Sequence, residues 1–545
     1  MITESPSRGD GRAGPQRPTS CPSLLGGTHG EPTNAGPPSC LADLHLDEVI
    51  AAAAPGAFQR NVWHSPLADE RIVEHRQEVV RDLRRTGVRR AAEGFATAVE
   101  SARTAIAARA QAHYPVPAEL NLLTAIGRFT TAVESFSSGL AEQSPQSGAL
   151  RGVAAHLGGY VRGGGFRELA DGADALLADL RGTPVELGIR AGTVWVAEDG
   201  GRAAWAPQIA SFFARFASPA DVTAVPARPK RYLNHVEAQT IGLIANLRPE
   251  VFEATHRFAA AHADFLPADL ARLAEELRFF LGFLVLVDRL TGDGVEWCVP
   301  RLVRGGAGPV ALHGVVDLAL ALKPRTDVPA TVPNDVVLGG DERVVFITGP
   351  NQGGKTTLAR AIGQLAYLTS LGLPVPARSA SLPLANPVLT HVPHPDDPEH
   401  ERGGLAEEMV RLRGVVDALG PSALVVLNEL FSATSVEDAL ELSEVVLPRL
   451  AASGCRVVWV TFLEELDLTF RVALERALDA FAGSVIVASH DRWFLERLAT
   501  HLLVWDGSAT HPGRWRWVDG GLGALRSGGT SDGTTEGAQR RFPER

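Results

Sequence analysis

Val344-Val-Phe-Ile-Thr-Gly-Pro-Asn-Gln-Gly-Gly-Lys-Thr-Thr-Leu-Ala-Arg360 is the stretch whose reading decides the fold. Residues Val344 to Thr348 are β-branched or aromatic and read as a buried strand. They run into Gly349-x-x-x-x-Gly354-Lys355-Thr356, and Leu358 to Leu368 then reads as a helix. Strand, glycine loop and helix in that order form the context of a phosphate-binding P-loop. The glycines let backbone N–H groups turn toward phosphate oxygens, and the helix N-terminus adds partial positive charge. Lys355 is expected to reach the outer phosphates, and the Thr356 hydroxyl to meet Mg²⁺. Lysine occurs only at positions 230, 323 and 355, so a lysine in this loop is hard to ascribe to chance.

Working outward, the downstream segment alternates strands and helices. Strands are expected at Val344–Thr348, Leu424–Leu427 and Arg456–Thr461, with helices near Leu358–Leu368, Leu405–Leu419 and Val436–Leu450. That alternation predicts a largely parallel sheet with its ligand at the carboxyl ends of the strands. A further helix, Arg471–Phe481, and strand, Ser484–Ser489, are expected beyond it. The apolar strand Leu424-Val-Val-Leu ends in Asn428-Glu429, where a nucleotide site normally has Asp-Glu. Asn428 is thus a metal candidate without charge, which predicts slow hydrolysis, and Glu429 is the candidate for activating water. Read as a bare strand end, Asn428 would be no more than a helix N-cap.

Upstream, to about residue 300, the signal is helical. Leu122, Ile126, Phe129, Val133, Phe136 and Leu140 form one apolar stripe; Leu270, Leu273, Leu277, Phe280, Leu284 and Val287 form another. Ile72, Val79, Val80 and Leu83 make a weaker third. Breaks are expected at Gly158-Gly159 and Gly163-Gly164-Gly165, and a short hairpin over Pro184–Val196. A helical region with one small β insertion reads as a lever or arm. Between residues 300 and 343 short apolar runs are separated by Gly, Pro and Asp. The fold class expected is therefore a mainly α N-terminal region followed by an α/β P-loop domain.

The chain has 545 residues, enough for two to four domains. Its longest apolar run, Phe279 to Val287, is too short to span a bilayer. A net charge of −11 argues against polyanion binding by the whole surface but leaves local basic runs, Arg81 to Arg90 and Arg228 to Arg231, as possible phosphate contacts. Each such run is more often a solvated face. Four cysteines without metal-ligand spacing fit a reducing, cytoplasmic compartment. Residues 1–42 read as a disordered leader and 524–545 as a disordered tail, both rich in turn formers.

Gly349-Pro-Asn-Gln-Gly-Gly-Lys-Thr-Thr357, preceded by Val332-Pro-Asn-Asp335 and followed by Asn428-Glu-Leu-Phe-Ser-Ala-Thr434, resembles the ATPase domain of the MutS DNA mismatch repair family. More narrowly it is similar to shorter MutS-like proteins that also write the second motif as Asn-Glu. Gly372-Leu-Pro-Val-Pro-Ala-Arg378, Thr390-His391 and Val460-Thr-Phe-Leu-Glu-Glu-Leu466 add to the resemblance, and the upstream helices fit from Asp43 onward. It covers roughly 43–466: a helical lever region, 43–330, and a P-loop domain, 331–466.

The resemblance implies an ABC-type ATPase that uses ATP and Mg²⁺ and embraces mismatched or branched DNA as a clamp-like homodimer in repair or recombination, without a membrane. It assigns Gly349, Pro350, Asn351, Gln352, Gly353, Gly354, Lys355, Thr356 and Thr357 to the nucleotide, Thr356 and Asn428 to the metal, and Glu429 to catalysis. A loop of the opposite subunit completes each site in the family. Gly403-Gly404 stands there in place of the residues usual in relatives. No Phe-x-Glu wedge of the mismatch-reading kind is found, so mismatch specificity is not expected.

From Leu466 to Gly523 the chain resembles the end of an ABC-F ATPase domain, in Ser489-His-Asp-Arg-Trp-Phe-Leu495 and Trp505-Asp-Gly507. That family acts on ribosomes and places a γ-phosphate-sensing His at the position of His490. The segment 467–523 then reads as a graft. Either its strand brings His490 to the phosphate or it packs outside and His490 lies at the surface; the second is favoured, because one sheet position cannot hold two strands. Two alternatives stay open: an ABC-F-like translation factor, disfavoured by the single P-loop, and an ATP-binding remnant without turnover, suggested by Asn428.

Overall fold

A computed structural model of the chain describes residues 20–27, 36–54, 56–182, 185–190, 193–198, 235–305, 308–323, 331–340, 342–347, 353–392, 404–428, 446, 449–450, 452–460, 501–505 and 515–519. The expected helix Arg471–Phe481, the strand Ser484–Ser489 and most of Val436–Leu450 lie outside these residues. The chain divides into two compact units, one built from residues up to 24 and 85–278, the other from 25–84 and 279 onward.

The first unit is helical. Its long helices, Thr86–Ala110 and Pro115–Gln143, pack side by side, with Gly148–Arg162, Gly164–Arg181, His235–Leu247 and Pro249–Ala261 against them. The stripe from Leu122 to Leu140 is fully buried, as its spacing predicts. Leu122, Ile126, Leu169, Ala173 and Ala259 meet in one cluster, and Phe95 stacks on Phe136 at 5.1 Å. The expected hairpin is present as β1, Val185–Arg190, and β2, Thr193–Glu198, paired antiparallel. The glycine-rich stretch behaves differently from its sequence reading. The helix Gly148–Arg162 runs through Gly158 and Gly159, and the break comes only at Gly163, whose extended backbone ends one helix and starts the next. The buried Leu150, Val153 and Leu157 hold that helix together despite its glycines.

The leader is also only partly as expected. Cys21 and Leu24 are buried, 2 % and 0 % exposed, because the stretch is tied down by carboxylates. The Leu24 N–H and the Ser23 hydroxyl donate to Glu276 at 2.6 and 3.0 Å, and the Cys21 N–H donates to Asp269. Composition counts few apolar residues in the leader but says nothing of such long-range partners.

The second unit holds two four-stranded sheets. One combines β3, Arg301–Leu302, β4, Val310–Val315, β5, Asn334–Leu338, and β7, Ser379–Leu382, in the order β3-β7-β4-β5. The other combines β6, Val344–Ile347, β8, Val388–His391, β9, Leu424–Asn428, and β10, Arg456–Val460, in the order β6-β10-β9-β8 with every neighbouring pair parallel. All of β9 is buried, which explains its unbroken apolar run. Helices Lys355–Ser370 and Gly404–Asp417 follow β6 and β8. A separate antiparallel hairpin joins β11, His501–Trp505, to β12, Trp515–Asp519.

Residues 43–84 and 279–330, read from sequence as part of a contiguous helical region, fall in this second unit, as do 25–42 of the expected leader. The reason is polar as well as apolar. Arg76, fully buried, donates to the carbonyls of Leu25 and Leu371 and lies 5.8 Å over the Phe279 ring. Trp63 packs edge-on against Phe279 and Phe283. The stripe of the helix Glu70–Leu83 buries Val73, Val79, Val80 and Leu83, with Ile72 only partly covered.

Candidate nucleotide-binding site

β6 stands at the end of its sheet among the described strands, in a register that puts Ile347 opposite Val460 of β10. After the loop, Gly353 and Gly354 deliver the chain into the helix Lys355–Ser370. Gly354 has φ +84° and ψ 15°, a left-handed conformation that a side chain resists, and its carbonyl accepts the Leu358 N–H at 2.9 Å. The helix is sheathed: Leu358, Ala359, Ile362, Leu365, Ala366 and Leu368 are all buried. The first N–H groups of a helix find no acceptor within it, which makes such an N-terminus a suitable place for an anion.

Two of the expected metal residues come together. The Thr356 hydroxyl donates to Asn428 Oδ1 at 3.0 Å, bringing positions 72 residues apart onto one point at the carboxyl end of β9. Asn428 is 6 % exposed, and Lys355 is buried to the same degree. Gly353, Gly354, Lys355, Thr356, Thr357 and Asn428 are therefore placed, whereas Gly349, Pro350, Asn351, Gln352, Glu429 and His490 lie outside the described residues. So do Gly403 and the basic run Arg228 to Arg231. In the other basic run, Arg85 donates to the Gln143 carbonyl and Arg89 pairs with Glu93 at 2.9 Å, so these two are engaged within the protein.

Oxygen donors suit Mg²⁺, which keeps waters and takes much of its shell from phosphates. Thr356 and Asn428 are two such donors, both neutral. Among the described residues no group of three or more His, Cys, Asp or Glu is arranged to hold a metal ion. The donor set fits a metal that arrives with a nucleotide better than one held by protein alone.

The sequence reading missed a polar layer along the helix Lys355–Ser370. The Asp317 carboxylate accepts from Arg360 Nε at 2.6 Å and from Gln364 Nε2 at 3.1 Å. Gln364 also donates to the Leu44 carbonyl at 2.9 Å and accepts the Leu318 N–H at 2.8 Å. On the neighbouring strand the Thr390 hydroxyl donates to Asp43 at 2.7 Å, and the Tyr367 hydroxyl donates to the Trp63 carbonyl at 2.6 Å. Burial, before anything else, raises the Tyr367 phenol well above its ordinary range. The visible signal was Arg360 and Gln364, polar side chains four residues apart on the same helix face as Thr356.

Among the described residues no helix is long and apolar enough to cross a membrane. Residues 345–499 match MutS domain V, a match that continues through residues resembling the ABC-F segment above. A DNA mismatch repair protein MutS of Granulibacter bethesdensis is 30 % identical over 256 residues, which are 46 % of this chain and 26 % of that protein. An Endonuclease MutS2 of Geobacillus thermodenitrificans is 30 % identical over 167 residues, 30 % of this chain and 21 % of that protein. The MutS protein homolog him-14 of Caenorhabditis elegans is 35 % identical over 117 residues, 22 % of this chain and 14 % of that protein. The matched part thus spans about a quarter or less of these relatives. The chain carries a segment that matches MutS domain V, and through it is similar to MutS and MutS2 proteins alike.

Proposed function

We propose that this MutS-like chain binds ATP with Mg²⁺, hydrolyses it slowly, and couples that turnover to DNA in mismatch repair or recombination. The observation that carries the reading is the hydrogen bond from Thr356 to Asn428 at the carboxyl end of a parallel strand, beside a glycine-led helix N-terminus. Gly349 to Gly354 would wrap phosphate oxygens with backbone N–H groups, and Lys355 would neutralise them. Thr356 and Asn428 would hold Mg²⁺, Asn428 through a water. Bound there, the ion supplies charge neutralisation on the phosphate oxygens. Glu429, next in the chain after Asn428, would orient the attacking water. Because Asn428 adds no charge of its own, the ion is held less firmly than by Asp, which supports slow turnover. A clamp-like homodimer in the cytoplasm, with the partner completing each site, is the assembly this reading favours. His490 stays a candidate γ-phosphate contact within it.

The test is ATP turnover by the full chain, alone and with linear, mismatched and branched duplexes, beside Lys355→Ala. Turnover stimulated by DNA and abolished by Lys355→Ala supports the reading. Turnover indifferent to every duplex refutes the DNA coupling and leaves the ribosome as the partner to try. ATP binding without turnover under any condition makes the chain a nucleotide-dependent binding protein, the outcome that a neutral Asn428 would then explain.

A further inference from the structure

The helix Lys355–Ser370 sends polar side chains toward one buried carboxylate at two places beyond Thr356. Asp317, whose side chain is wholly buried, caps the short helix Leu318–Leu322 by accepting the Leu320 N–H at 3.2 Å. The same carboxylate takes both Arg360 and Gln364, and Gln364 is pinned again by the Leu318 N–H and the Leu44 carbonyl. In a helix, positions 360 and 364 lie about 40° and 80° round the axis from 356, and about 6 and 12 Å along it. All three therefore share one face, and what holds the last two sets the azimuth of the first.

Most of the rest of that helix is gripped by apolar side chains, whose contacts are not directional; the Tyr367 hydroxyl, donating to the Trp63 carbonyl at 2.6 Å, adds a directional hold three turns beyond Thr356. An atom about 4 Å off the helix axis moves about 1 Å for each 15° of rotation. Such a turn is enough to break the 3.0 Å bond between Thr356 and Asn428. A hydrogen-bonded buried pair does little for net stability but can fix one arrangement among several.

We propose that Asp317 is a positioning residue for the Thr356–Asn428 pair: through Arg360 and Gln364 it holds the phosphate-loop helix at the rotation that puts the Thr356 hydroxyl on Asn428. This rests on the nucleotide reading above. It separates two properties that a residue of merely structural value would not separate, the binding of nucleotide and the demand for metal. The backbone N–H groups and Lys355 meet phosphate with or without Mg²⁺, whereas the Thr356 and Asn428 oxygens matter only when the ion is present.

The experiment uses the full chain and a fluorescent ATP analogue, with binding measured in EDTA and then against a Mg²⁺ titration. Asp317→Asn and Asp317→Glu are each compared with wild type after a melting curve confirms a cooperative fold. Metal-free affinity is expected to stay within about twofold, while the Mg²⁺ needed for half-maximal tightening rises about tenfold, the loss expected for one misplaced ligand hydrogen bond. Adding Arg360→Gln to Asp317→Asn, which restores a neutral hydrogen-bonded pair, is expected to recover much of the metal response. Two results overturn the proposal: an unchanged Mg²⁺ requirement in a folded variant, or equal losses of metal-free and metal-dependent binding. Asp317→Glu keeps the charge and decides the matter if Asp317→Asn does not fold. If wild type binds the analogue in neither condition, the nucleotide reading falls first and this role with it.

Discussion

Asn428→Asp is the sharpest perturbation of the site, because it changes charge with almost no change in shape. Asn428 is 6 % exposed and its one described side-chain partner is the Thr356 hydroxyl at 3.0 Å. Without metal, a carboxylate there loses most of its hydration, at a cost of several kcal/mol for a fully buried ion. The charge-assisted bond from Thr356 returns about 1 kcal/mol of that. A net destabilisation of about 1–3 kcal/mol is expected in EDTA. With a divalent ion one water away, at about 4.5 Å, each unit of its charge attracts the carboxylate by about 3–4 kcal/mol at an effective dielectric of about 20. For the ion's two charges that is about 7 kcal/mol, above the desolvation cost of about 1–3 kcal/mol. The phosphate charges beside the ion offset most of the remainder, and the part expected to survive, about 1.4–2.8 kcal/mol, is a ten- to hundredfold fall in the Mg²⁺ needed for half saturation. The assay is a Mg²⁺ titration of nucleotide binding, paired with melting in EDTA and in Mg²⁺–nucleotide. The variant is expected to melt below wild type in the first buffer and to close or reverse the gap in the second. A Mg²⁺ midpoint within twofold of wild type, with unchanged melting in EDTA, would refute the placement of Asn428 at the metal.

Gly363→Ala is expected to destabilise the second unit. A Cβ there would lie 2.5 Å from Leu44 Cδ2 and 3.4 Å from Val426 Cγ2, and Leu44 is itself buried, so its shift would disturb packed neighbours. The overpacking, about 1–3 kcal/mol, outweighs the roughly 1 kcal/mol that alanine normally gains over glycine in a helix; a rise in melting temperature would contradict the Leu44 contact. The cysteines give a pH prediction. Burial first, then nearby carboxylates, raises Cys21 and Cys40 to about 12, and burial raises Cys298 to about 11. A thiol raised in the folded state holds its proton longer than in the unfolded chain, so its contribution is intact below about pH 9 and is lost between there and the folded value. Stability by chemical denaturation is therefore expected to fall as pH rises above about 9, and iodoacetamide at pH 8 is expected to label these thiols far more slowly in native than in unfolded protein. Rapid native labelling of Cys40 would contradict its burial.

How much was legible in the sequence differs from element to element. The stripes of Leu122–Leu140 and of Leu270–Val287 could be read directly, because helical period and burial are the same fact seen in one and three dimensions. So could β9 and the β1–β2 hairpin, the one from its unbroken apolar run and the other from its alternation. The glycines at 158 and 159 misled, since propensity is a weak prior that buried neighbours override.

The Thr356–Asn428 pair was anticipated as two roles on two motifs, and Lys355 and Gly354 were read from their spacing alone, because a phosphate loop is local in the chain and its glycines answer a local backbone demand. Tertiary structure alone decided that the two metal candidates touch, with Thr356 donating to Asn428. It alone brought Cys21 and Leu24 into a core through Asp269 and Glu276, and put residues 25–84 with the sheets rather than with the helices that follow them. It alone revealed Asp317 behind the phosphate-loop helix, taking Arg360 and Gln364. The reason is common to all of these. A buried polar group must find a partner wherever the fold brings one, and such a partner, 43 residues away for Arg360 and more than 240 for Cys21, leaves no periodicity in the chain.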